Sequence, residues 1–314
     1  MKIGFVILTY VNYQDTIHCV KSLIEALSSP VSGSCSVDIV LVDNDSPNGA
    51  ADQLVNFGKY LEKPPWIHLT LLRSSENLGY GNGNNLGLER LFRSLECAVV
   101  FVMNNDVIVH SMDTNLLVHE LESKNGDAWG CHILNEASHD TEYYGGAIFN
   151  RFFFNSRRVL SRGEVARITG NEGFYISGAF LGFSRAAYEK VGPFYESFFL
   201  YFEEIEWFYR ARQKLGRNLN IVVLEGITLR HQVGGSTGNS EFGTQKSDVA
   251  EYYSARARIL FSRKVARLYL PNAICYNLTL AIHRFLIGYK RNVGIIIIAT
   301  LRGILGEKGR HRSL

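Results

Sequence analysis

An α/β fold built on a mostly parallel sheet is what this 314-residue chain predicts, on three observations. Short Val- and Ile-rich runs recur along its first half. Segments with apolar residues at helical spacing lie between them. Each run then ends in amides, hydroxyls and carboxylates. Strand and helix in alternation imply right-handed βαβ units. In open sheets of that kind, ligands bind beyond the carboxyl ends of the strands.

Residues 3–9 read as the first strand. The run is too short for a signal peptide, and no small-residue cleavage site follows it. Residues 14–27 follow as a helix, with Ile17, Val20, Ile24 and Leu27 on one face and Ser28-Ser29-Pro30 as its stop. Residues 37–42 and 67–72 are the second and third strands. Residues 98–103 are a fourth, whose unbroken apolar run suits burial on both faces. A helix over roughly residues 84–95 separates the last two. Past about Ala128 the alternation gives way to aromatic, glycine-rich stretches such as Tyr143-Tyr144-Gly145-Gly146 and Tyr175-Ile176-Ser177-Gly178-Ala179-Phe180. A helix at Glu203–Leu215 and a strand at residues 221–223 are expected there.

Hydrophobic residues make up 46% of the chain and charged ones 20%, the balance of a globular protein with one large domain or two smaller ones. Cys19, Cys35, Cys97, Cys131 and Cys275 are scattered and form no C-x-x-C pair. That argues against a disulfide framework or zinc site and for a reducing, cytosolic compartment. From Arg256 onward twelve Lys and Arg face Glu307 alone, whereas the rest of the chain is net acidic. An anionic surface is the partner this tail suggests, and its isoleucine content favours a membrane over nucleic acid. Residues 273–282 and 293–301 are its longest apolar stretches, short of the ~20 a spanning helix needs, and Arg284, Lys290, Arg291 and Arg302 punctuate them. A pair of basic amphipathic helices in the headgroup layer is therefore expected. An ordinary helical subdomain or a homodimer contact is the alternative.

Four polar clusters fall at the strand ends: Thr9-Tyr10-Val11-Asn12, Asp43-Asn44-Asp45-Ser46, Asn77-Leu78-Gly79-Tyr80-Gly81-Asn82-Gly83-Asn84-Asn85, and Asn104-Asn105-Asp106. One alone reads as a turn; four at one sheet edge form a pocket. Asp43 suits the N3–H of a uracil or thymine ring. Asp106 is the hard oxygen ligand that a divalent ion bridging phosphates requires. The glycines let the backbone approach a ligand, and the helix behind them offers N–H groups to an anion. Their spacing is not G-x-G-x-x-G, because Leu86 stands where the last glycine belongs. A dinucleotide-binding Rossmann domain is disfavoured accordingly.

The ordered set of motifs resembles glycosyltransferase family 2, the inverting enzymes of GT-A fold. Within it, the chain is similar to the rhamnosyltransferase-like members of bacterial polysaccharide synthesis, O-antigen included. The matching pieces are the clusters above, Ser177-Gly178-Ala179, Phe199-Leu200-Tyr201-Phe202-Glu203-Glu204-Ile205-Glu206-Trp207, and His231 with Gly234-Gly235-Ser236. The resemblance covers about residues 1–240. It implies a GT-A catalytic domain over residues 1–250, followed by a basic amphipathic helical region over 251–314. It also implies a donor site of Thr9, Tyr10, Asn12, Asp43, Asn44, Asn77, Gly79, Tyr80, Gly81, Asn85, Asn104, Asn105 and Asp106, and an acceptor site of Ser177, Gly178 and Trp207. The donor would be dTDP-rhamnose or a UDP-sugar, and the acceptor a glycan linked to polyprenyl diphosphate, used at the inner face of the cell membrane. Asn104 stands where the family often has the first carboxylate of Asp-x-Asp, and an amide is the poorer cation ligand.

Such a transfer needs a charge clamp on the departing diphosphate and a base for the attacking hydroxyl. Asp106 with Mg²⁺ or Mn²⁺ would supply the clamp, with His231 as a further metal ligand through a neutral ring. Glu203, Glu204 and Glu206 crowd a helix start, where the dipole favours each carboxylate by roughly 0.3–1 kcal/mol. The apolar approach Phe198-Phe199-Leu200-Tyr201-Phe202 and the adjacent like charges would also raise a carboxyl towards general-base range. Glu204 is the expected base, and Glu203 and Glu206 orient acceptor or backbone. Arg210 is placed to pair with Glu206. A nucleotidyltransferase would want a glycine-rich loop where Tyr10-Val11-Asn12-Tyr13 stands. The rival from another class is a catalytically silent sugar-nucleotide or glycan-binding protein.

Overall fold

The computed structural model describes residues 1–29, 35–168, 170–232 and 247–311. Pro30 of the expected helix stop and Gly234-Gly235-Ser236 lie outside them. Strands β1 (Lys2–Thr9), β2 (Ser36–Asp43), β3 (Ile67–Arg73) and β4 (Val99–Asn104) fall where the apolar runs predict them, and α1 (Tyr13–Ala26) crosses between the first two. These strands pair in parallel in the order β3-β2-β1-β4. Thr9 lies opposite Asp43 and Leu8 opposite Asn104, so the register brings three polar ends level.

Two departures occur in this half. Helix α2 (Ala50–Tyr60) has no counterpart in the sequence reading; it buries Ala50 and Leu54. Helix α3 (Gly79–Glu89) takes in the segment read as a glycine loop and continues through a π-turn at Arg90–Ser94. Gly83 and Gly87, one turn apart, serve close packing on β1. A Cβ at Gly83 would stand 2.6 Å from Leu8, and one at Gly87 would stand 2.4 Å from Val6.

The second half continues with β5 (Val107–Met112), α4 (Thr114–Ser123), β6 (Ala128–Asn135), β7 (Thr141–Tyr144), β8 (Gly146–Asn150) and β9 (Asn155–Arg158). Then come α5 (Arg162–Ile168), β10 (Phe174–Ile176), β11 (Phe180–Ser184), α6 (Arg185–Val191), α7 (Glu203–Leu215) and β12 (Ile221–His231). The sheet extends past β4 as β11-β6-β12-β5, with β11 antiparallel to both neighbours, while β10-β8-β9 form a small separate sheet. The aromatic, glycine-rich stretches are thus strands, and β12 runs on to His231 instead of stopping at Val223. Phe5, Phe101 and Phe180 stack across β1, β4 and β11 with ring centroids 5.3 and 4.8 Å apart. On the opposite face Phe183 meets Trp207 of α7 at 4.7 Å.

Three helices follow: α8 (Asp248–Val265), α9 (Leu270–Leu286) and α10 (Lys290–Leu305). The boundary expected near residue 250 falls inside α8, which buries Tyr252, Tyr253, Arg256, Arg258 and Ile259. Part of the basic tail is spent internally, because a buried cation needs a partner. Arg256 meets Glu307 at 3.1 Å, Arg284 meets Glu251 at 2.9 Å, and Arg258 bonds Asn277 and lies over Tyr276. The outer faces of α9 and α10 instead expose Leu278, Ile282, Phe285, Leu286, Ile298, Leu301 and Leu305. Among the described residues no helix is long and apolar enough to cross a membrane.

Candidate active site

A cavity of about 610 Å³ opens where the polar strand ends meet α7, and it is lined by Tyr10, Asn44, Asn77, Gly79, Tyr80, Asn104, Asn105 and Asp106 from the sheet edge. Ser177, Gly178, Glu203, Glu204 and His231 line it as well. Its volume is that of a site for a small organic ligand.

Amides sew the sheet-edge wall together. Asn44 Nδ2 donates to Asn77 Oδ1 and to the Gly79 carbonyl, both at 3.1 Å, and its Oδ1 accepts from Leu78 N–H at 3.0 Å. Asn105 Nδ2 donates to the Asn12 carbonyl and to Thr16 Oγ1, each at 3.1 Å. Thr9 Oγ1 lies 2.8 Å from Thr16 Oγ1. Thr9 and Asn12 therefore support the wall from behind. Asp43 Oδ1 is buried without a hydrogen bond. A buried acceptor left unpaired is costly, and it suits a ring N–H. Asp106 Oδ1 lies 3.4 Å from His231 Nε2, and its carboxylate is the hard oxygen donor that suits a divalent cation.

The start of α3 does not offer the free N–H groups expected of it. Leu78 N–H goes to Asn44, Gly79 N–H to Asn77 Oδ1 at 3.0 Å and Tyr80 N–H to the Phe199 carbonyl at 2.8 Å, while Gly81 N–H bonds the Glu203 carboxyl. Gly79 is required there: its φ is +78°, and a Cβ would sit 2.1 Å from the Phe199 carbonyl oxygen.

Besides Thr9 and Asn12, five residues expected in the site do not line the cavity: Asp43, Gly81, Asn85, Glu206 and Trp207. Asp43 is buried behind Asn44 at the end of β2. Gly81 packs beneath Glu203, whose Cγ would lie 3.0 Å from a Cβ there. Asn85 exchanges two hydrogen bonds with the Phe194 backbone, at 3.0 and 2.9 Å. Glu206 is fully buried against Arg210 at 2.9 Å and Lys264 at 3.3 Å. It is two residues past Glu204, about 200° round the helix. Trp207 is a core residue, its Nε1 donating to the Gly192 carbonyl at 2.9 Å.

Glu203 and Glu204 are delivered by a strained turn. Tyr201 and Phe202 both have left-handed φ, 72° and 71°, a conformation bulky residues adopt only when packing enforces it. Phe202 is held by Phe149 and Phe261, at 5.6 and 5.5 Å. Burial, and then the neighbouring Glu204 charge, push the Glu203 carboxyl well above its usual range. Burial also raises Glu204, which is half-buried on the cavity wall. Tyr80 stays a phenol, pushed up by burial and by the Glu204, Glu203 and Asp106 charges, and donates to the Gly178 carbonyl at 2.7 Å. A Cβ at Gly178 would stand 3.1 Å from Tyr80 Oη and 3.6 Å from Glu204 Oε1, so the glycine keeps the approach to both open.

His231 Nδ1 lies 2.9 Å from Glu142 Oε2, and Nε2 lies 3.4 Å from Asp106 Oδ1. Burial disfavours its cation, but the two carboxylates outweigh that and lift the ring to about 9. Both ring nitrogens of His231, expected from the sequence as a metal ligand, thus face carboxylates. Among the described residues no cluster of three or more His, Cys, Asp or Glu is arranged to hold a metal. The donor set fits a divalent ion carried mainly by a diphosphate and touched by Asp106. Glu142, Tyr143, Arg158, Ser247, Val249, Tyr253 and Arg310 also line the cavity. They carry no motif, and only the chain's path brings them there.

The profile of glycosyl transferase family 2 matches residues 5–192. The low-salt glycan biosynthesis hexosyltransferase Agl10 of Haloferax volcanii is 29% identical over 206 residues, covering 63% of this chain and 59% of its own length. The chain thus spans about three fifths of that curated relative. Among solved structures, residues 1–349 of S. aureus TarS in complex with UDP-GlcNAc superpose with a TM-score of 0.57, over 98% of this chain and 81% of that one, at 15% identity. The mannosyltransferase PcManGT from Pyrobaculum calidifontis, in complex with GDP-Man and Mn²⁺, gives 0.55 over 96% and 86%, at 14% identity. At that identity the likeness establishes the GT-A fold.

Proposed function

This chain belongs to glycosyl transferase family 2, and we propose that it moves a sugar from a nucleoside-diphosphate donor, dTDP-rhamnose or a UDP-sugar, to a glycan acceptor with inversion. The observation that carries this reading is that Glu204 and Asp106 line one cavity. Asp43 would accept the N3–H of the base, and Asn44 and Asn77 would hold that wall rigid. Glu204, half-buried and raised by burial, is the group suited to take the acceptor hydroxyl's proton. Burial and the Glu204 charge raise the Glu203 carboxyl beside it. Mg²⁺ or Mn²⁺ bound at Asp106 would offset charge on the departing diphosphate. Ser177 and Gly178 border the space left for the acceptor.

The test is transfer from a panel of nucleotide sugars to a polyprenyl-linked acceptor with Mn²⁺, reading nucleoside diphosphate released and the anomeric configuration of the product. Inversion is expected, and Asp106→Asn should abolish turnover while leaving the fold intact. A retained configuration would refute single displacement. Donor binding without release of nucleoside diphosphate would favour a silent binding protein.

The exposed apolar faces of α9 and α10 support a second element of this reading, docking on the inner face of the cell membrane beside a lipid-linked acceptor. Since Arg256, Arg258 and Arg284 are turned inward, apolar contact should dominate. Flotation with anionic liposomes should persist at high salt and be lost in Phe285→Ser/Leu301→Ser. Absence of flotation by the unaltered protein ends this part.

A further inference from the structure

A diphosphate in this cavity needs cations, and the inventory of them is short. The start of α3 is closed by its own hydrogen bonds. His231 is held between Asp106 and Glu142. Arg158 lies 3.6 Å from Glu142 and over the Tyr143 ring at 4.9 Å. Among the described residues, the remaining cation on the wall is Arg310.

Its position is not that of a loose terminus. Residues 307–311 turn back from α10 and are pinned at three points. Glu307 accepts from Tyr252 Oη at 2.9 Å, Arg256 at 3.1 Å and Arg302 at 2.6 Å. Arg256, itself buried, also donates to the Gly309 carbonyl, and Gly309 N–H reaches the Ser197 carbonyl at 3.3 Å. His311 N–H donates to Tyr253 Oη at 2.8 Å, and the His311 ring packs on Tyr252 with centroids 4.9 Å apart. A buried arginine is costly unless its partners repay it, and here those partners belong to the strap. Among the described residues Arg310 has no carboxylate within ion-pair distance, because Glu307 is taken by Arg256 and Arg302. Its guanidinium is exposed and borders the same cavity as Asp106 and Glu204.

We infer that the strap formed by residues 307–311 delivers Arg310 to the cavity as a phosphate-binding residue. The inference rests on the transferase reading and names the group that reads the substrate's phosphates. Those phosphates belong either to the nucleoside diphosphate or to an isoprenoid phosphate on the acceptor. A planar guanidinium with free donors suits both.

The experiment is calorimetric titration of the full chain with UDP, dTDP and GDP against their nucleosides, and with farnesyl phosphate against farnesol. Arg310→Ala should weaken one phosphorylated class by roughly tenfold or more, leave its unphosphorylated counterpart unchanged and leave Tm unchanged. Arg310→Lys should recover most of the loss. Loss confined to the nucleoside diphosphates places Arg310 on the donor, and loss confined to farnesyl phosphate places it on the acceptor. Glu307→Gln should act in the same direction more weakly and lower Tm, because it loosens the strap. Unchanged binding of both classes by Arg310→Ala overturns the inference while leaving the transferase reading intact. If the unaltered protein neither binds a nucleoside diphosphate nor transfers sugar, both fall.

Discussion

The two walls of the cavity are built differently. The sheet-edge wall is made where β1, β2 and β4 end level, and its polar residues are placed by strand register and tied by amide hydrogen bonds. The facing wall comes from an aromatic turn, the start of α7, and a strap clamped by α8. In the first, side-chain position follows from a two-residue repeat. In the second, it follows from contacts between segments far apart in sequence. Neighbours can therefore have unrelated roles on the second wall: Glu204 faces the cavity, whereas Glu206 is locked in the core.

That contrast predicts the largest effect. Glu204→Gln should lower kcat by roughly two to four orders of magnitude with donor affinity and Tm nearly unchanged. Glu206→Gln should do the reverse, costing about 3 kcal/mol of stability because Arg210 and Lys264 lose their shared anion, with kcat per folded molecule intact. Denaturant unfolding and initial rates on both variants decide it; a Glu206→Gln protein that is stable but inactive would break the distinction.

Gly79 lies where the walls meet, its backbone against the Phe199 carbonyl. Gly79→Ala places a Cβ at positive φ and into that contact, so a loss of about 2 kcal/mol is expected, with weaker nucleotide binding. Wild-type stability in urea would show that the walls are not so coupled.

The smallest effect is a pH dependence from Glu203. Its folded pKa is raised, so the protonated form favours the native state; that contribution is complete below its ordinary value of 4.5 and is lost as pH rises above it. Glu203→Gln keeps an acceptor for the backbone N–H groups and cannot ionise. Its Tm should exceed wild type by a few degrees at neutral pH and match it near pH 4. An equal Tm difference at both values would mean that ionisation of Glu203 is not the cause.

Periodicity made the parallel strands legible, since valine-rich runs buried on both faces leave a strong local signal. It made Asn44, Asn104, Asn105 and Asp106 legible as strand-end groups too. It misread Gly79, Gly81 and Gly83 as a loop because a glycine needed for close helix packing looks the same as one needed for a turn. Helix α2 was missed although its few apolar residues fall on one face.

By itself, then, the sequence determined the α/β framework, the level polar ends of β1, β2 and β4, and an acidic helix start at Glu203. The tertiary structure alone decided that Glu203 and Glu204 line the cavity whereas Glu206 does not, that the α3 N–H groups are already taken, that His231 lies between two acids, and that Arg310 reaches the site. The reason is physical. Strand and helix repeats are local and survive in a single stretch of residues. Orientation around a helix, satisfaction of a helix end and the pKa of a buried ring depend on groups brought from elsewhere in the chain.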